Sequence, residues 1–192
     1  MIRIAILGDI CAGKSYVAKQ FGYPVFNADD AVVRIYQKNR KCYNKLKKAL
    51  PKYINSFPIK KNEISKAILA EDYNLKKIIK IVHQEVRICM NNFIKKHQKK
   101  KFIILDIPLL IENKINNKKD ILIFVDSKKK EINKRLKKRK NFNKRIINKF
   151  KKIQLSVEFK KKHSDFIIKN NFMSNIVKKN VKKVMKQILL NA

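Results

Sequence analysis

The chain has few of the residues that build disulfide frameworks, metal sites and membrane spans. Its 192 residues include no tryptophan, three cysteines and three histidines. Cys11, Cys42 and Cys89 are odd in number and widely spaced, which argues against a disulfide framework or a zinc site and favours the cytoplasm. The histidines show no metal-ligand spacing. No apolar run approaches the ~20 residues of a membrane span, and the first residues lack a signal-peptide pattern, so we expect no membrane partner.

Acidic residues are also scarce. The chain carries 49 Lys and Arg against 14 Asp and Glu, which gives a net charge of +35. A nucleic acid or an anionic small ligand would be attracted by such a charge. However, Lys, Asn and Ile, which all have A/T-rich codons, dominate the composition, and Arg is scarce beside Lys. Since Arg is the preferred residue for bidentate contacts with phosphates and bases, we attribute the charge mainly to genome composition and expect no specific nucleic-acid partner.

Glycine is also scarce, and two of the three glycines lie in one segment. Residues 8–15 have the pattern G-x-x-x-x-G-K-S, between an apolar run that predicts a buried strand and a segment that predicts a helix. Strand, glycine-rich loop and helix in this order are typical of a phosphate-binding loop. We therefore expect Lys14 to contact the β- and γ-phosphates of a nucleoside triphosphate, and Ser15 Oγ to hold Mg²⁺.

Apolar runs and helical segments alternate through much of the chain. This alternation predicts one α/β domain with a parallel sheet and right-handed crossovers. Further strands are expected at 23–27, 102–106, 121–125 and 165–170, a turn and short helix at 107–112, and a closing helix with Ile176, Val177, Val181, Val184, Ile188 and Leu189 on one face. Ser127 and Ser156 are expected to cap helices, and Arg139, Arg145 and Lys160 are candidate cations of a basic lid.

Residues 37–99 are lysine-rich and helical, with Pro51 and Pro58 as breaks. The longest helix, expected over 74–97, carries His83 and Arg87 one turn apart. By itself this pair is typical of a solvated or core-edge histidine. An apolar stripe beside it is expected from Leu75, Ile78, Ile79, Val82, Val86, Met90, Phe93 and Ile94.

Acidic residues follow two of the predicted strands. Asp29 comes after the second strand, and Asp106 ends the strand at 102–106. Because ligands bind beyond the carboxyl ends of strands in open α/β sheets, both are candidates for chemistry at the phosphate loop. The alternative for this turn is that Asn27 or Asp29 caps the following helix.

With these segments in place, the chain resembles the dephospho-CoA kinase family over nearly its whole length. Beyond the loop, Asn27-Ala28-Asp29 is similar to the family's D-A-D, 83–87 to its H-P-x-V-R, and 106–112 to its D-I-P-L-L-F-E. Residues 135–139 resemble its R-L-x-x-R. Gln154, Glu158, Lys160, Asp165 and Asn170 fall at its Q-x-x-x-E-x-K-x-x-x-x-D-x-x-I-x-N spacing.

The resemblance implies a P-loop kinase with a parallel, about five-stranded sheet. Residues 1–36 and 100–192 would form the nucleotide-binding core, 37–99 a helical insertion that binds the CoA substrate, and 139–162 the lid. The implied reaction is ATP- and Mg²⁺-dependent phosphorylation of the ribose 3′-hydroxyl of dephospho-CoA, the last step of coenzyme A synthesis, by a cytoplasmic monomer or small homo-oligomer.

Site residues are implied in the same way. Catalysis would depend on Asp29, Lys14 and Arg139. ATP would be bound by Gly8, Cys11, Ala12, Gly13, Lys14, Ser15, Tyr16, Arg139 and Asn170. The substrate would contact Asp29, His83, Arg87, Pro108, Leu109 and Leu110. Mg²⁺ would be held by Ser15, with Asp29 or Asp106 as a further ligand.

The chain departs from the family pattern in the loop and the lid. Asp9, Cys11 and Ala12 replace small residues of the loop, Asn27 replaces the first acid of D-A-D, and Phe150 replaces a lid arginine. We expect the Asp9 carboxylate to face outward, because an inward carboxylate would repel ATP. Lys149, Lys151 or Arg145 would have to supply the lid charge.

Two other functions share part of this pattern. A P-loop kinase of another small metabolite or nucleotide would have the loop but not the segments at 83–87 and 106–112. A nucleic-acid-binding ATPase would show aromatic residues among basic ones on a strand face, and the sequence has no such stripe.

Overall fold

The computed structural model describes residues 1–138 and 143–190. In chain order the described elements are β1 (Ile2–Gly8), α1 (Lys14–Gln20), β2 (Val25–Asn27), α2 (Ala28–Lys38), α3 (Arg40–Ala49), α4 (Lys61–Ala70), α5 (Asp72–Lys96), β3 (Phe102–Asp106), β4 (Ile121–Asp126), α6 (Lys129–Lys137), α7 (Lys144–Lys152), α8 (Val157–Lys162), β5 (Phe166–Lys169) and α9 (Ser174–Leu190). Among these helices, none is both long and apolar enough to cross a membrane.

The described residues divide into two compact units. The core unit contains 1–27, 97–138 and 154–190, with all five strands, and the helical unit contains 28–96 and 143–153. The helical unit therefore includes α2 to α5 and α7.

A five-stranded sheet organises the described part of the core unit. Its strand order is β2-β3-β1-β4-β5, and every neighbouring pair is parallel. All five residues of β3 are buried, as expected for an interior strand with continuous apolar sequence. The predicted P-loop kinase fold class, with about five parallel strands flanked by helices, is confirmed. Since β3 lies between β1 and β2, the carboxyl ends of these three strands meet at one edge.

Helix α9 packs on β5 and α1, but its buried face is narrower than the sequence predicts. Val177, Val181, Val184 and Ile188 are buried, whereas Ile176 and Leu189 are 41% and 44% exposed. The two misassigned residues neighbour buried ones in the chain. One position turns a helical side chain by about 100°, which carries these two off the packed face.

Helix α5 is the long element against which α2, α3 and α4 pack in the helical unit. Five apolar residues of its predicted stripe are buried, while Ile79, Phe93 and Ile94 are half-buried. The carboxylate of Glu85, also buried, accepts hydrogen bonds from Asn39 Nδ2 (3.0 Å) and Lys45 Nζ (3.3 Å). These bonds tie α3 and the preceding turn to α5.

Two local predictions are wrong. Residues 107–112 form turns rather than a short helix, and Leu109 has a φ of 57°, which a right-handed helix excludes. Helix α6 begins with Lys128 at its N-cap, and Ser127 Oγ instead donates to the Ala12 carbonyl. The predicted Ser156 cap of α8 is confirmed, since its hydroxyl accepts from the Phe159 N–H over 3.0 Å.

Candidate active site

The phosphate loop connects β1 to α1 and turns at two glycines. Gly13 is the N-cap of α1 with a φ of 87°, and Gly8 has a φ of 150°. A Cβ atom on Gly8 would lie 2.9 Å from the Val125 carbonyl oxygen, and one on Gly13 would collide with the Asn170 amide. Both positions therefore require glycine. The N–H groups at the start of α1 and the positive end of its dipole make this turn an anion site.

Two of the unusual loop residues, Asp9 and Cys11, have a defined local geometry. Asp9 Oδ1 accepts a hydrogen bond from the N–H of Ile10 over 2.6 Å, and the Asp9 carbonyl accepts from the Ala12 N–H over 3.2 Å. The Asp9 carboxylate is thus held by its own turn. Cys11 adopts a φ of 64°, which is uncommon for a residue with a side chain and costs about 1–2 kcal/mol.

Lys14 folds over the loop. Its ammonium donates to the carbonyl oxygens of Asp9 (2.9 Å) and Gly8 (3.3 Å). These contacts hold the charge at the mouth of the loop, where it can exchange carbonyl oxygens for phosphate oxygens.

Three polar side chains meet beside the first turn of α1. Asn27 ends β2 and lies in register with Asp106, which ends β3. Asn27 Nδ2 donates to Asp106 Oδ2 over 2.8 Å and lies 3.5 Å from Ser15 Oγ. Asp106 is only 3% exposed. The amide at position 27 allows this approach, because a second carboxylate there would repel Asp106.

A pocket beside the loop contains a second cation, Lys160, which is buried. The pocket lies between the end of β1, Lys14, the segment after β3, and α8 with the residues before it. Its lining residues are Ile6, Leu7, Gly8, Lys14, Ile107, Pro108, Leu109, Leu110, Glu112, Gln154 and Lys160. The Lys160 ammonium pairs with Glu112 Oε1 over 2.7 Å, and their side chains are 6% and 9% exposed. The Glu112 carboxylate also accepts from the Leu155 N–H over 3.1 Å.

The sequence predicts Lys160 as one of three lid cations, and it indicates no role for Glu112. The structure places Lys160 inside the core unit, on the pocket that Lys14 also lines. The signal that could have revealed this pair lies in the family patterns at 106–112 and 154–170, which contain Glu112 and Lys160. The structure of Arg139 lies outside the described residues.

The back of the loop is held by two other side chains. Ser127 Oγ and Asn170 Nδ2 both donate to the Ala12 carbonyl, over 2.9 and 2.8 Å. Asn170 Oδ1 accepts from the Phe172 N–H over 2.9 Å, and the Phe172 ring lies 4.3 Å from the Arg135 guanidinium. Sequence reasoning missed this role of Ser127. Tyr16, by contrast, is 38% exposed on α1.

The remaining predicted residues belong to the helical unit. Asp29 and Asp30 are exposed in the first turn of α2. On α5, His83 is half-buried and Arg87 is exposed. Burial, and secondarily the charge of Arg87, lowers the pKa of His83 below its usual value, which favours a neutral imidazole.

One of the candidate lid lysines, Lys149, is already engaged in this unit. Lys149 of α7 pairs with Asp72 over 2.7 Å, and Lys152 lies 3.9 Å from the same carboxylate. The hydrogen bond and charge of Lys149 hold the pKa of Asp72 below its usual value. Lys149 is therefore a structural partner of α5 in this conformation.

A protein-family model for dephospho-CoA kinase matches residues 2–175. The chain belongs to the dephospho-CoA kinase family. A dephospho-CoA kinase of Wolbachia pipientis wMel is 34% identical over 193 aligned residues, covering 98% of each chain. Among solved structures, a Thermus thermophilus protein superposes with a TM-score of 0.74 at 23% identity, covering 99% of this chain and 97% of the other. A dephospho-CoA kinase from Campylobacter jejuni has a TM-score of 0.62 at 19% identity, covering 97% and 96%.

Proposed function

We propose that this chain transfers the γ-phosphoryl group of ATP to the ribose 3′-hydroxyl of dephospho-CoA, giving coenzyme A and ADP. Family membership supports the acceptor, since the family model covers residues 2–175. The observation that carries the chemistry is the group of side chains around the phosphate loop. Lys14, Ser15, Asp106 and Lys160 bring two cations, a hydroxyl and a carboxylate to the carboxyl edge of one sheet.

The loop binds the ATP phosphates through its backbone. The N–H groups at the start of α1 donate to phosphate oxygens, and Lys14 leaves the carbonyls of Gly8 and Asp9 to contact the β- and γ-phosphates. This mode of binding depends on backbone shape. Side chains such as those of Cys11 and Ala12 are therefore compatible with it.

The residues beside the loop fit a magnesium ion. Mg²⁺ prefers oxygen ligands and takes only one or two carboxylates from the protein, with phosphates and waters completing its shell. Ser15 Oγ and Asp106, both contacted by Asn27, supply such a hydroxyl and carboxylate. When bound, the ion would neutralise charge on the β- and γ-phosphates. Among the described residues, no cluster of three or more His, Cys, Asp or Glu side chains is suited to a metal.

Phosphoryl transfer by such a site depends mainly on positioning and on neutralising charge, because the transition state is loose. Lys14 stabilises the transferring group from the loop. Lys160, held by Glu112, is the second cation that lines the pocket beside the loop. Arg139 stays a predicted third cation.

The acceptor is proposed to contact the residues that the family resemblance assigns to the substrate. Pro108, Leu109 and Leu110 line the pocket of the core unit. Asp29, His83 and Arg87 are the polar residues proposed for the acceptor in the helical unit. A cationic Arg87 is suited to phosphate and a neutral His83 to hydrogen bonding. Asp29 orients or deprotonates the 3′-hydroxyl. It is exposed at the start of α2 and so accessible to a ligand.

The experiment that tests this function measures ADP release with ATP and one of four acceptor conditions: dephospho-CoA, AMP, dTMP or no acceptor. Dephospho-CoA alone should give turnover, and Lys14→Met should abolish it. Lys19→Met, which removes an exposed lysine from the last turn of the same helix, is the matched control and should keep turnover. Equal or faster turnover with AMP or dTMP would refute the proposed acceptor.

We place the reaction in the cytoplasm, since Cys11, Cys42 and Cys89 are unpaired thiols. A monomer or small homo-oligomer is proposed.

Specific nucleic-acid binding is not part of the function. It would be revealed by RNA affinity that falls steeply and linearly with the logarithm of salt concentration and depends on RNA sequence.

A further inference from the structure

One carbonyl group of the phosphate loop accepts hydrogen bonds from two distant side chains. Ser127 Oγ and Asn170 Nδ2 donate to the Ala12 oxygen over 2.9 and 2.8 Å. Ser127 follows β4 and Asn170 follows β5, so both donors are held at the carboxyl edge of the sheet. Because a carbonyl oxygen has two lone pairs, these two bonds fill its acceptor capacity.

We infer that Ser127 and Asn170 are positioning residues that clamp the Ala12–Gly13 peptide and thereby aim the Gly13 N–H at the phosphates. In a planar trans peptide, the C=O and N–H groups point in opposite directions. Fixing the Ala12 oxygen toward Ser127 and Asn170 therefore turns the Gly13 N–H to the opposite side of the peptide, at the N-terminus of α1. This inference rests on the proposed function only in that the loop binds a nucleotide phosphate.

The loop has a specific need for such a clamp. Gly13 has a φ of 87° and little barrier to rotation, so the Ala12–Gly13 peptide could flip if nothing held it. A flipped peptide would present the Ala12 oxygen to the phosphates in place of the Gly13 N–H, exchanging an attractive dipole for a repulsive one. The clamp removes this alternative before the nucleotide arrives, which is the physical meaning of preorganisation.

Asn170 is itself fixed in orientation. Its Oδ1 accepts from the Phe172 N–H over 2.9 Å, and its backbone N–H donates to the Asp126 carbonyl over 2.7 Å. An N–H can only donate and a carbonyl can only accept, so the amide has one orientation that satisfies both Phe172 and Ala12. The side chain is 3% exposed and packs against Gly13, where any Cβ would collide with it.

The decisive comparison is between ADP and adenosine. ADP uses the loop amides, whereas adenosine has no phosphate and does not. Affinities for both are measured calorimetrically with EDTA present, so that no metal contributes. Two variants of Ser127 differ mainly in the hydroxyl group. Ser127→Val removes the hydroxyl, whereas Ser127→Thr keeps it in a side chain of the same shape as valine. We expect Ser127→Val to weaken ADP binding about fivefold to tenfold, as for one lost hydrogen bond, with adenosine affinity unchanged. Ser127→Thr should restore most of the ADP affinity.

A second pair of variants separates this role from a structural one. Asn170→Ala removes the other donor. Asn74→Ala removes a similar bond in the helical unit, where Asn74, also 3% exposed, donates to the Ala67 carbonyl over 3.0 Å. Both variants should lose stability in urea titrations, but only Asn170→Ala should weaken ADP binding relative to adenosine.

The inference is overturned if Ser127→Val and Asn170→Ala both bind ADP as the unsubstituted chain does, or if ADP and adenosine lose affinity equally. Failure of the unsubstituted chain to bind ADP would also overturn it. Because no acceptor is present, a chain that passes this test but does not phosphorylate dephospho-CoA would refute the proposed function and leave the clamp standing.

Discussion

Lys160 offers the sharpest test of how the site neutralises charge. Its ammonium and the Glu112 carboxylate are 2.7 Å apart, and both side chains are less than one-tenth exposed. Lys160→Met keeps much of the side-chain volume and removes the charge. The Glu112 carboxylate then stays buried, with the Leu155 N–H as a remaining hydrogen-bond partner in the described structure.

The expected magnitudes differ for stability and for catalysis. Removing one partner of a buried ion pair typically costs about 3–5 kcal/mol in the free energy of unfolding, because the other charge is left uncompensated. If Lys160 also contacts the transferring phosphoryl group, its loss should reduce kcat by about 100-fold or more, as for a preorganised donor at developing charge.

The double variant Lys160→Met/Glu112→Gln separates these two effects. The double variant leaves no uncompensated buried charge, so the unfolding free energy should largely recover. Turnover should not recover, because the cation is still absent. Lys161→Met, at the residue after Lys160, is the matched control. It breaks a partly exposed ion pair with Asp126 and should lower the free energy of unfolding by about 1 kcal/mol or less.

The measurements are urea titrations and steady-state ADP release with ATP and dephospho-CoA. A double variant that regains both stability and turnover would refute the catalytic role. Lys160 would then be a structural partner of Glu112 that fixes the segment after β3 against α8.

Three further predictions concern the helical unit. Asp29→Asn should lower kcat at least tenfold with little change in ATP affinity, whereas Asp30→Asn, in the same helical turn, should not; equal kcat values would reject the catalytic assignment of Asp29. Arg87→Ala should raise KM for dephospho-CoA about tenfold and leave KM for ATP unchanged, with Lys96→Ala on the opposite side of α5 as the control; a change only in the ATP value would contradict this. Since the folded-state pKa of His83 is lowered, the unfolded chain takes up more protons near pH 6, so stability should fall as pH drops below about 6.5. Melting temperatures at pH 7.5 and 5.5 should show a smaller decrease for His83→Gln than for the unsubstituted chain, and an equal decrease would rule out His83 as the source.

The fold was predictable because most of its strands and helices can be recognised from local patterns of apolar residues. The apolar run at 102–106 predicts the strand that β3 forms, with the same bounds. Periodicity along 74–97 predicts a helix where α5 spans Asp72–Lys96, and five apolar residues of its stripe are buried. Such patterns predict secondary structure because each element buries one face. The spacing of apolar residues along the chain therefore follows the period of a helix or a strand.

The contacts that complete the site could not be predicted in this way. Ser127 has the position of a helix cap, yet its partner Ala12 is 115 residues away in the sequence. The Glu112–Lys160 pair likewise joins segments that only the sheet order brings together. The turn at 107–112 looks helical from its apolar residues, but Leu109 takes a left-handed φ that composition does not reveal.

These distant contacts explain how the loop keeps its shape with few glycines. The left-handed φ of Cys11 costs about 1–2 kcal/mol, which glycine would avoid. The hydrogen bonds from Ser127 and Asn170 to Ala12 contribute about 0.5–1.5 kcal/mol each, a total of similar size. The conformation that glycine would allow locally is thus stabilised here from β4 and β5. Loss of either donor should therefore affect phosphate binding even though neither side chain needs to touch the nucleotide.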